Sequence, residues 1–237
     1  SIPQPTGLKV NIAQRPLEVQ GLSGVSRVYN GTTTAGVTGV AALDPAPIVA
    51  GDVLALGGTP KFLFATADVG TAKGITATGY TLSGTDAANY LLRQPAGLSA
   101  DVTAKALTIT GLTAAGRVYD GTTNVTVTGT AKYSGLAAVD ATKFAVPVLA
   151  EPRSAAFADK AAGIAKPVTV TGYVAPSTNY TLAALTLPAT ISRKALTLTG
   201  VAAVNREYDG TTIVGLTTGT LGGVRSEEHT SELQSRE

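Results

Sequence analysis

Lys105-Ala106-Leu107-Thr108-Ile109-Thr110-Gly111 is the stretch on which the fold turns. Apolar side chains alternate with threonine, and then a glycine interrupts. Alternation at period two is the mark of a strand with one buried face, and β-branched residues suit the pleat. The pattern returns in Val125-Thr126-Val127-Thr128, Val168-Thr169-Val170-Thr171 and Tyr180-Thr181-Leu182. Gly, Asn, Asp and Pro punctuate these runs at the roughly 8–12-residue spacing typical of small β-domains. Two alanine-rich stretches, 40–50 and 136–150, have room for a helical turn, but Pro45, Pro47 and Pro147 forbid a long helix.

The same stretch also reveals a repeat. Leu107 to Gly111 has counterparts in Leu17-Glu18-Val19-Gln20-Gly21 and Leu196-Thr197-Leu198-Thr199-Gly200. Arg27-Val28-Tyr29-Asn30-Gly31-Thr32-Thr33 recurs as Arg117-Val118-Tyr119-Asp120-Gly121-Thr122-Thr123 and as Arg206-Glu207-Tyr208-Asp209-Gly210-Thr211-Thr212. The tyrosines stand 90 and 89 positions apart. Residues 64–80 align with 157–173, sharing Gly70/Gly163, Lys73/Lys166 and Gly79/Gly172, and Asn89-Tyr90 aligns with Asn179-Tyr180. The expected organisation is a final strand of a preceding repeat (1–14), two whole repeats (15–104 and 105–193), the opening of a third (194–224), and a tail (225–237). Each whole repeat is long enough to bury a small core. We expect tandem immunoglobulin-like β-sandwiches of about six to eight short strands each, with a β-grasp-like sheet as the alternative. The joints near Lys105 and Lys194 lack a Gly/Ser linker, which predicts a stiff, extended array.

Composition narrows the chemistry. The 237 residues include 36 Thr, 38 Ala and 27 Gly, no Cys, Met or Trp, and one His. Without Cys there is no disulfide, thiolate nucleophile or Cys-ligated zinc. One His excludes a multi-His metal site, and any Ser-His-Asp triad would have to use it. No run of 18 apolar residues exists to span a membrane. A net charge of +2, with only 14% charged residues, leaves no electrostatic footprint for nucleic acid. With no Met, the chain is expected to be a processed product or a segment of a longer one.

The residues that invite a functional reading are Tyr29, Asn30 and Gly31, Tyr119, Asp120 and Gly121, and Tyr208, Asp209 and Gly210. An Asp beside a Thr hydroxyl is a possible ligand for a cation or a sugar. The stronger reading is structural, since Asn-Gly and Asp-Gly supply the positive-φ pair of a type I′ hairpin turn. Asn30 serves such a turn as well as Asp120 does, but carries no charge for a metal. Tyr90 and Tyr180 are expected to pack at the core edge with bonded hydroxyls. Asp52, Asp68, Asp86, Asp140 and Asp159 show no calcium-loop spacing. Before the tail the glutamates are Glu18, Glu151 and Glu207, and no carboxylate pair recurs. Three Asn-x-Thr triplets, at Asn30, Asn124 and Asn179, arise readily in so threonine-rich a chain. No catalytic, cofactor-binding or metal-binding residue is predicted.

Together, the Tyr-Asp-Gly-Thr-Thr motif, the Lys-Ala-Leu-Thr-Ile-Thr-Gly opening, Phe157-Ala158-Asp159-Lys160 and the Asn-Tyr-Thr-Leu strand start resemble the YDG-type repeat of bacterial surface proteins. The resemblance covers residues 1–224 and departs at Asn30 and at Phe64-Ala65-Thr66-Ala67, which lacks the Asp-Lys pair. It implies a filamentous-haemagglutinin-like adhesin or other large exoprotein, released by two-partner secretion to the surface of a Gram-negative bacterium. It implies a stalk or adhesive role without catalysis, a host or matrix receptor (a glycan among the candidates), and no nucleic-acid partner. Receptor contact is expected in loops 40–60 and 134–156, where the two repeats differ most. A carbohydrate-binding accessory module of an extracellular enzyme is the alternative. The absence of Cys suits a chain threaded unfolded out of an oxidising periplasm. Residues 225–237 match no repeat, carry the single His, and resemble the translation of a sequencing-adapter oligonucleotide. We expect this tail to be non-biological.

Overall fold

The computed structural model describes residues 7, 9–149 and 154–224, so the 225–237 tail and most of residues 1–8 lie outside the described residues. Within them the protein is all-β. The first repeat contains β1 (Arg15–Val25), β2 (Arg27–Val28), β3 (Gly36–Leu43), β4 (Ala55–Phe64), β5 (Gly70–Ser83), β6 (Tyr90–Arg93) and β7 (Ser99–Thr103). The second contains β8 (Lys105–Ala114), β9 (Arg117–Val118), β10 (Val127–Ser134), β11 (Val148–Leu149), β12 (Ala155–Phe157), β13 (Gly163–Val170), β14 (Tyr173–Val174), β15 (Tyr180–Leu182) and β16 (Leu185–Ser192). A short pair, β17 (Thr197–Thr199) and β18 (Thr220–Gly222), follows. The helical content described is two 3-10 turns, Ala87–Asn89 and Ala138–Asp140. The second of these falls in one of the two alanine-rich stretches.

In the first repeat the strands form two sheets, ordered β3-β1-β6 and β2-β7-β5-β4. The pairs β1–β6 and β2–β7 are parallel, and β1–β3, β4–β5 and β5–β7 are antiparallel. Glycines divide the long strands. On β1, Leu17 and Val19 are buried and then Leu22 and Gly24 half-buried, so the inward face changes parity at Gly21. There φ is +88° and the β1–β3 register shifts. β8 repeats the switch, from Leu107 and Ile109 to Leu112 and Ala114 across Gly111 at φ +83°. A bulge of this kind lets one strand feed two cores.

Two compact units result, and they are out of phase with the sequence repeat. Unit 1 comprises residues 1–110, 131–150 and 173–183; unit 2 comprises 111–130, 151–172 and 184–237. Along the second repeat the chain changes unit five times; the crossings at Thr110/Gly111, Thr130/Ala131 and Gly172/Tyr173 lie close to the positive-φ glycines Gly111, Gly129 and Gly172, and that at Ala183/Ala184 does not. In unit 1, Tyr29, Phe64, Ile75, Leu98 and Val102 of the first repeat share a core with Leu107, Ala137 and Tyr180 of the second. The core of unit 2 is Ala114, Phe157, Val168, Ala189 and Ile191.

Candidate functional site: an arginine-clamped turn and a tyrosine–aspartate joint

The repeated Tyr-Asp/Asn-Gly-Thr segment builds the same local object three times. In the first copy Asn30 Oδ1 accepts from the Thr32 amide at 3.0 Å and from the Thr32 hydroxyl at 2.9 Å. Asp120 Oδ1 does the same for Thr122, both at 2.9 Å, and Asp209 Oδ1 for Thr211, both at 2.9 Å. An arginine three residues before the Asp or Asn closes each turn. Arg27, Arg117 and Arg206 each reach that side chain and also donate to the carbonyl of Thr32, Thr122 or Thr211. Beneath the first two clamps the guanidinium lies over an aromatic ring, Arg27 5.5 Å from the Phe64 centroid and Arg117 5.4 Å from that of Phe157. Such stacking is favourable for a delocalised cation.

The type I′ hairpin expected from Asn-Gly and Asp-Gly is therefore not the turn that forms. Only the glycine is left-handed, Gly31 at φ +77°, Gly121 at +76° and Gly210 at +76°. Among the described residues, Ala72 and Ala165 are the non-glycine positions at positive φ, so Asn30, Asp120 and Asp209 are not. The strands flanking the first turn do not pair with each other either. Arg27 and Val28 pair with β7, whereas Thr34 bridges to Leu63. Physically, the Asx side chain supplies the turn's acceptor, and the backbone needs just one left-handed residue.

The Asp120 carboxyl is held below the usual carboxylate range, chiefly by the Thr122 amide, then by the Thr122 hydroxyl and the nearby Arg117. Asp209 is lowered in the same way, led by the Thr211 amide and then Arg206. A depressed folded-state value means stabilisation that is present above the unfolded value near 4 and lost as pH falls through the folded one. Acid should thus loosen the second and third turns, while Asn30 leaves the first unaffected. We expect Asp120→Asn to keep the turn and flatten the dependence of melting temperature on pH below the unfolded carboxylate value of about 4. An unchanged pH profile would show that this carboxylate contributes nothing.

The tyrosine of the first motif does more than flank a turn. Tyr29 Oη donates to Asp140 Oδ2 at 2.8 Å, and Tyr180 Oη donates to the same oxygen at 2.7 Å. The Ala137 amide in turn donates to Tyr180 Oη at 3.0 Å. The Tyr29 and Tyr180 rings meet edge-on at 5.3 Å, and Phe144 packs edge-on against Tyr180 at 6.3 Å. Asn179 completes the joint, accepting from the Val69 amide at 2.9 Å and donating to Asp68 Oδ1 at 2.8 Å. Gly31 belongs to it too, because a Cβ there would sit 2.1 Å from Val139 Cγ2. Asp140 is 8% exposed, so its carboxylate depends on these donors for solvation. Burial, reinforced by the hydrogen bond to Asp140, raises the Tyr29 phenol. Burial likewise pushes Tyr180 up to about 12.

In the first repeat the same pair forms without the preceding tyrosine. Tyr90 Oη donates to Asp52 Oδ2 at 2.7 Å and accepts from the Val49 amide at 2.8 Å. Tyr90 and Tyr180 are buried with bonded hydroxyls, as their sequence positions predict. Arg27, Arg117, Asp140 and Asn179 are the residues the sequence reading left without a role. The arginines were in view, since Arg stands three positions before the Asp or Asn in every copy. The Phe64 loop has Thr66 where the second repeat has Asp159, and the lysine that follows bonds to it in both. Lys73 Nζ donates to the Thr66 carbonyl and hydroxyl, both at 3.0 Å, where Lys166 pairs with Asp159 in the second repeat.

Among the described residues no three His, Asp or Glu side chains gather to hold a metal ion, and no helix is long and apolar enough to cross a membrane. No curated protein and no solved structure matches the chain significantly. A family model described as the YDG domain matches residues 13–97 and again 103–187, together well over half of the sequence. The chain belongs to the YDG domain family and carries two copies of that domain.

Proposed function

We propose that this chain is a structural and adhesive repeat segment of a large secreted bacterial surface protein of the filamentous-haemagglutinin kind, exported by two-partner secretion. It acts as a stalk or adhesin module and has no catalytic role. The observation that carries this reading is the Tyr29–Asp140–Tyr180 joint, which fuses one repeat to the next through a shared core. Neighbouring repeats that share one core suit a spacer role better than independently tethered modules would. The two sheets formed by the first repeat's strands support an immunoglobulin-like sandwich for each module. Receptor contact falls to those parts of loops 40–60 and 134–156 outside the joint, because Ala137 and Asp140 are already buried in it. The carbohydrate-binding alternative loses its obvious platforms, since the Tyr90 and Tyr180 rings are buried rather than displayed.

The test is labelling of intact source cells with antibody raised against residues 15–193. Staining before permeabilisation is the expected result, and staining only afterwards overturns the proposal. A glycan array addresses the alternative. Specific binding that Tyr90→Ala abolishes without unfolding the protein would favour the carbohydrate-binding module.

A further inference from the structure

Of the six asparagines in the chain, Asn30 is the one followed by glycine, and it stands where the other two motif copies carry Asp120 and Asp209. Its side-chain oxygen accepts from three groups, the Arg27 guanidinium, the Thr32 amide and the Thr32 hydroxyl. These bonds hold the side chain back over the Asn30–Gly31 peptide. They also polarise the amide carbonyl. When a nucleophile adds to Cγ, negative charge gathers on the same oxygen, and the three donors face it as those of an oxyanion hole do. Asn30 is exposed, so water reaches the group and ammonia can leave. Gly31 places no side chain beside its own backbone nitrogen, the nearest nucleophile to Cγ.

The surroundings restrict what such an addition can leave behind. Tyr29, just before Asn30, is anchored by its amide, which donates to the Thr103 carbonyl at 2.8 Å, and by its hydroxyl on Asp140. Gly31, just after, is packed so closely that a Cβ on it would lie 2.1 Å from Val139 Cγ2. An isoaspartyl link routes the main chain through Cβ and Cγ and would lengthen the backbone between these two anchored residues. An ordinary aspartyl link leaves that length unchanged. The second and third copies show that the turn holds a carboxylate in this place, ion-paired with Arg117 or Arg206. Arg27, the corresponding cation of the first copy, meets a neutral amide oxygen instead.

We propose that Asn30 is a self-modification site, at which the folded turn converts asparagine to aspartate. The Gly31 amide nitrogen, its proton lost to hydroxide, attacks Asn30 Cγ and forms a new C–N bond. The Cγ–Nδ2 bond breaks, and the nitrogen leaves as ammonia with a proton taken from water. A cyclic imide remains. Water then adds at Cγ, the bond from Cγ to the Gly31 nitrogen breaks, and a proton returns to that amide. The net change is one water consumed and one ammonia released, with a carboxylate at position 30. The first turn thereby gains the ion pair of the other two, since a charge-assisted bond to Arg27 is stronger than the neutral one it replaces. This conversion stands apart from the adhesive reading, because it depends on the turn and not on where the protein resides.

The test incubates the full chain in heavy-oxygen water at neutral pH and follows its tryptic peptides by mass spectrometry. We expect the peptide containing Asn30 to gain one heavy oxygen at that position, with aspartate outnumbering isoaspartate. Peptides carrying the other asparagines should stay unchanged. The same chain unfolded in urea should give mainly isoaspartate, the usual product of an unconstrained Asn-Gly, and the Asn30→Asp variant supplies the reference peptide. Arg27→Gln should slow conversion of the folded chain roughly tenfold, a modest loss for an oxyanion donor because the site is exposed. Arg27 also stacks on Phe64, so Thr32→Val, which removes just the hydroxyl donor, serves as a second variant and should slow conversion as well. No conversion in the folded chain, isoaspartate as its major product, or an unchanged rate in either variant would overturn the proposal.

Discussion

Replacing Asp140 with alanine is expected to destabilise unit 1 by about 3–5 kcal/mol, the range for breaking a buried charged network by removing one partner. Two buried phenols, Tyr29 and Tyr180, lose the one oxygen both donate to. Each unsatisfied hydroxyl costs roughly 1–3 kcal/mol, and relief from burying a carboxylate offsets part of this. Asp140→Asn retains an acceptor oxygen and should lose less than half as much. Hydrogen exchange separates the units. The Val102 amide, in unit 1, should lose protection while the Val168 amide, in unit 2, keeps it. A two-state fit to the whole chain would blur that difference.

The same network has an alkaline signature. Tyr180 is raised to about 12 when folded, led by burial, against an ordinary value of 10.0. A raised folded value means that the stabilisation is fully present below about 10 and disappears as pH climbs towards 12. Phenol absorbance during a base titration should therefore show Tyr180 ionising together with the unfolding of unit 1. In Asp140→Ala that ionisation should occur at lower pH. An unchanged titration would mean that Asp140 is not what holds the two phenols together.

The second large effect is expected at Gly39. Its φ is +102°, and a Cβ there would lie 2.1 Å from the Gly21 carbonyl oxygen. The cost is not limited to the left-handed penalty of roughly 1–2 kcal/mol for an L-residue. The methyl group would also push β3 off β1 at the register shift, where the buried face of β1 changes from Leu17 and Val19 to Leu22. We expect Gly39→Ala to lose about 3–5 kcal/mol, among the largest effects of a single substitution. Gly74→Ala is the control, since no heavy atom lies within 4 Å of its Cβ and its φ is not positive. It should change stability by less than about 0.5 kcal/mol. Equal melting temperatures for the two variants would show that the bulge is not required.

Much of this architecture can be read in the sequence. Leu107-Thr108-Ile109-Thr110 is a strand, and the parity break at Gly111 is present in the chain as Leu-Thr-Ile-Thr-Gly-Leu-Thr-Ala. The turn residues are present too, although the pairing of Arg27 with Asn30 and of Arg117 with Asp120 becomes meaningful only once the backbone folds back. Asp140 is a different case. It sits in an alanine-rich stretch with no periodicity, 111 positions from Tyr29, and nothing local marks it as the acceptor for two phenols. The segmentation into β11–β15 was equally hard to foresee.

What the sequence determined by itself is the local object. Arg, Asp or Asn, Gly and Thr at fixed spacing close the same clamped turn in all three copies, because its hydrogen bonds span no more than five residues. What the tertiary structure decided is the fate of the tyrosine inside that motif. Tyr29 is 6% exposed, whereas Asn30 beside it in the same motif is exposed. The difference comes from Asp140, Val139 and Tyr180, which the second repeat brings over the first motif. Burial is a property of what packs against a side chain, and that partner lies a full repeat away.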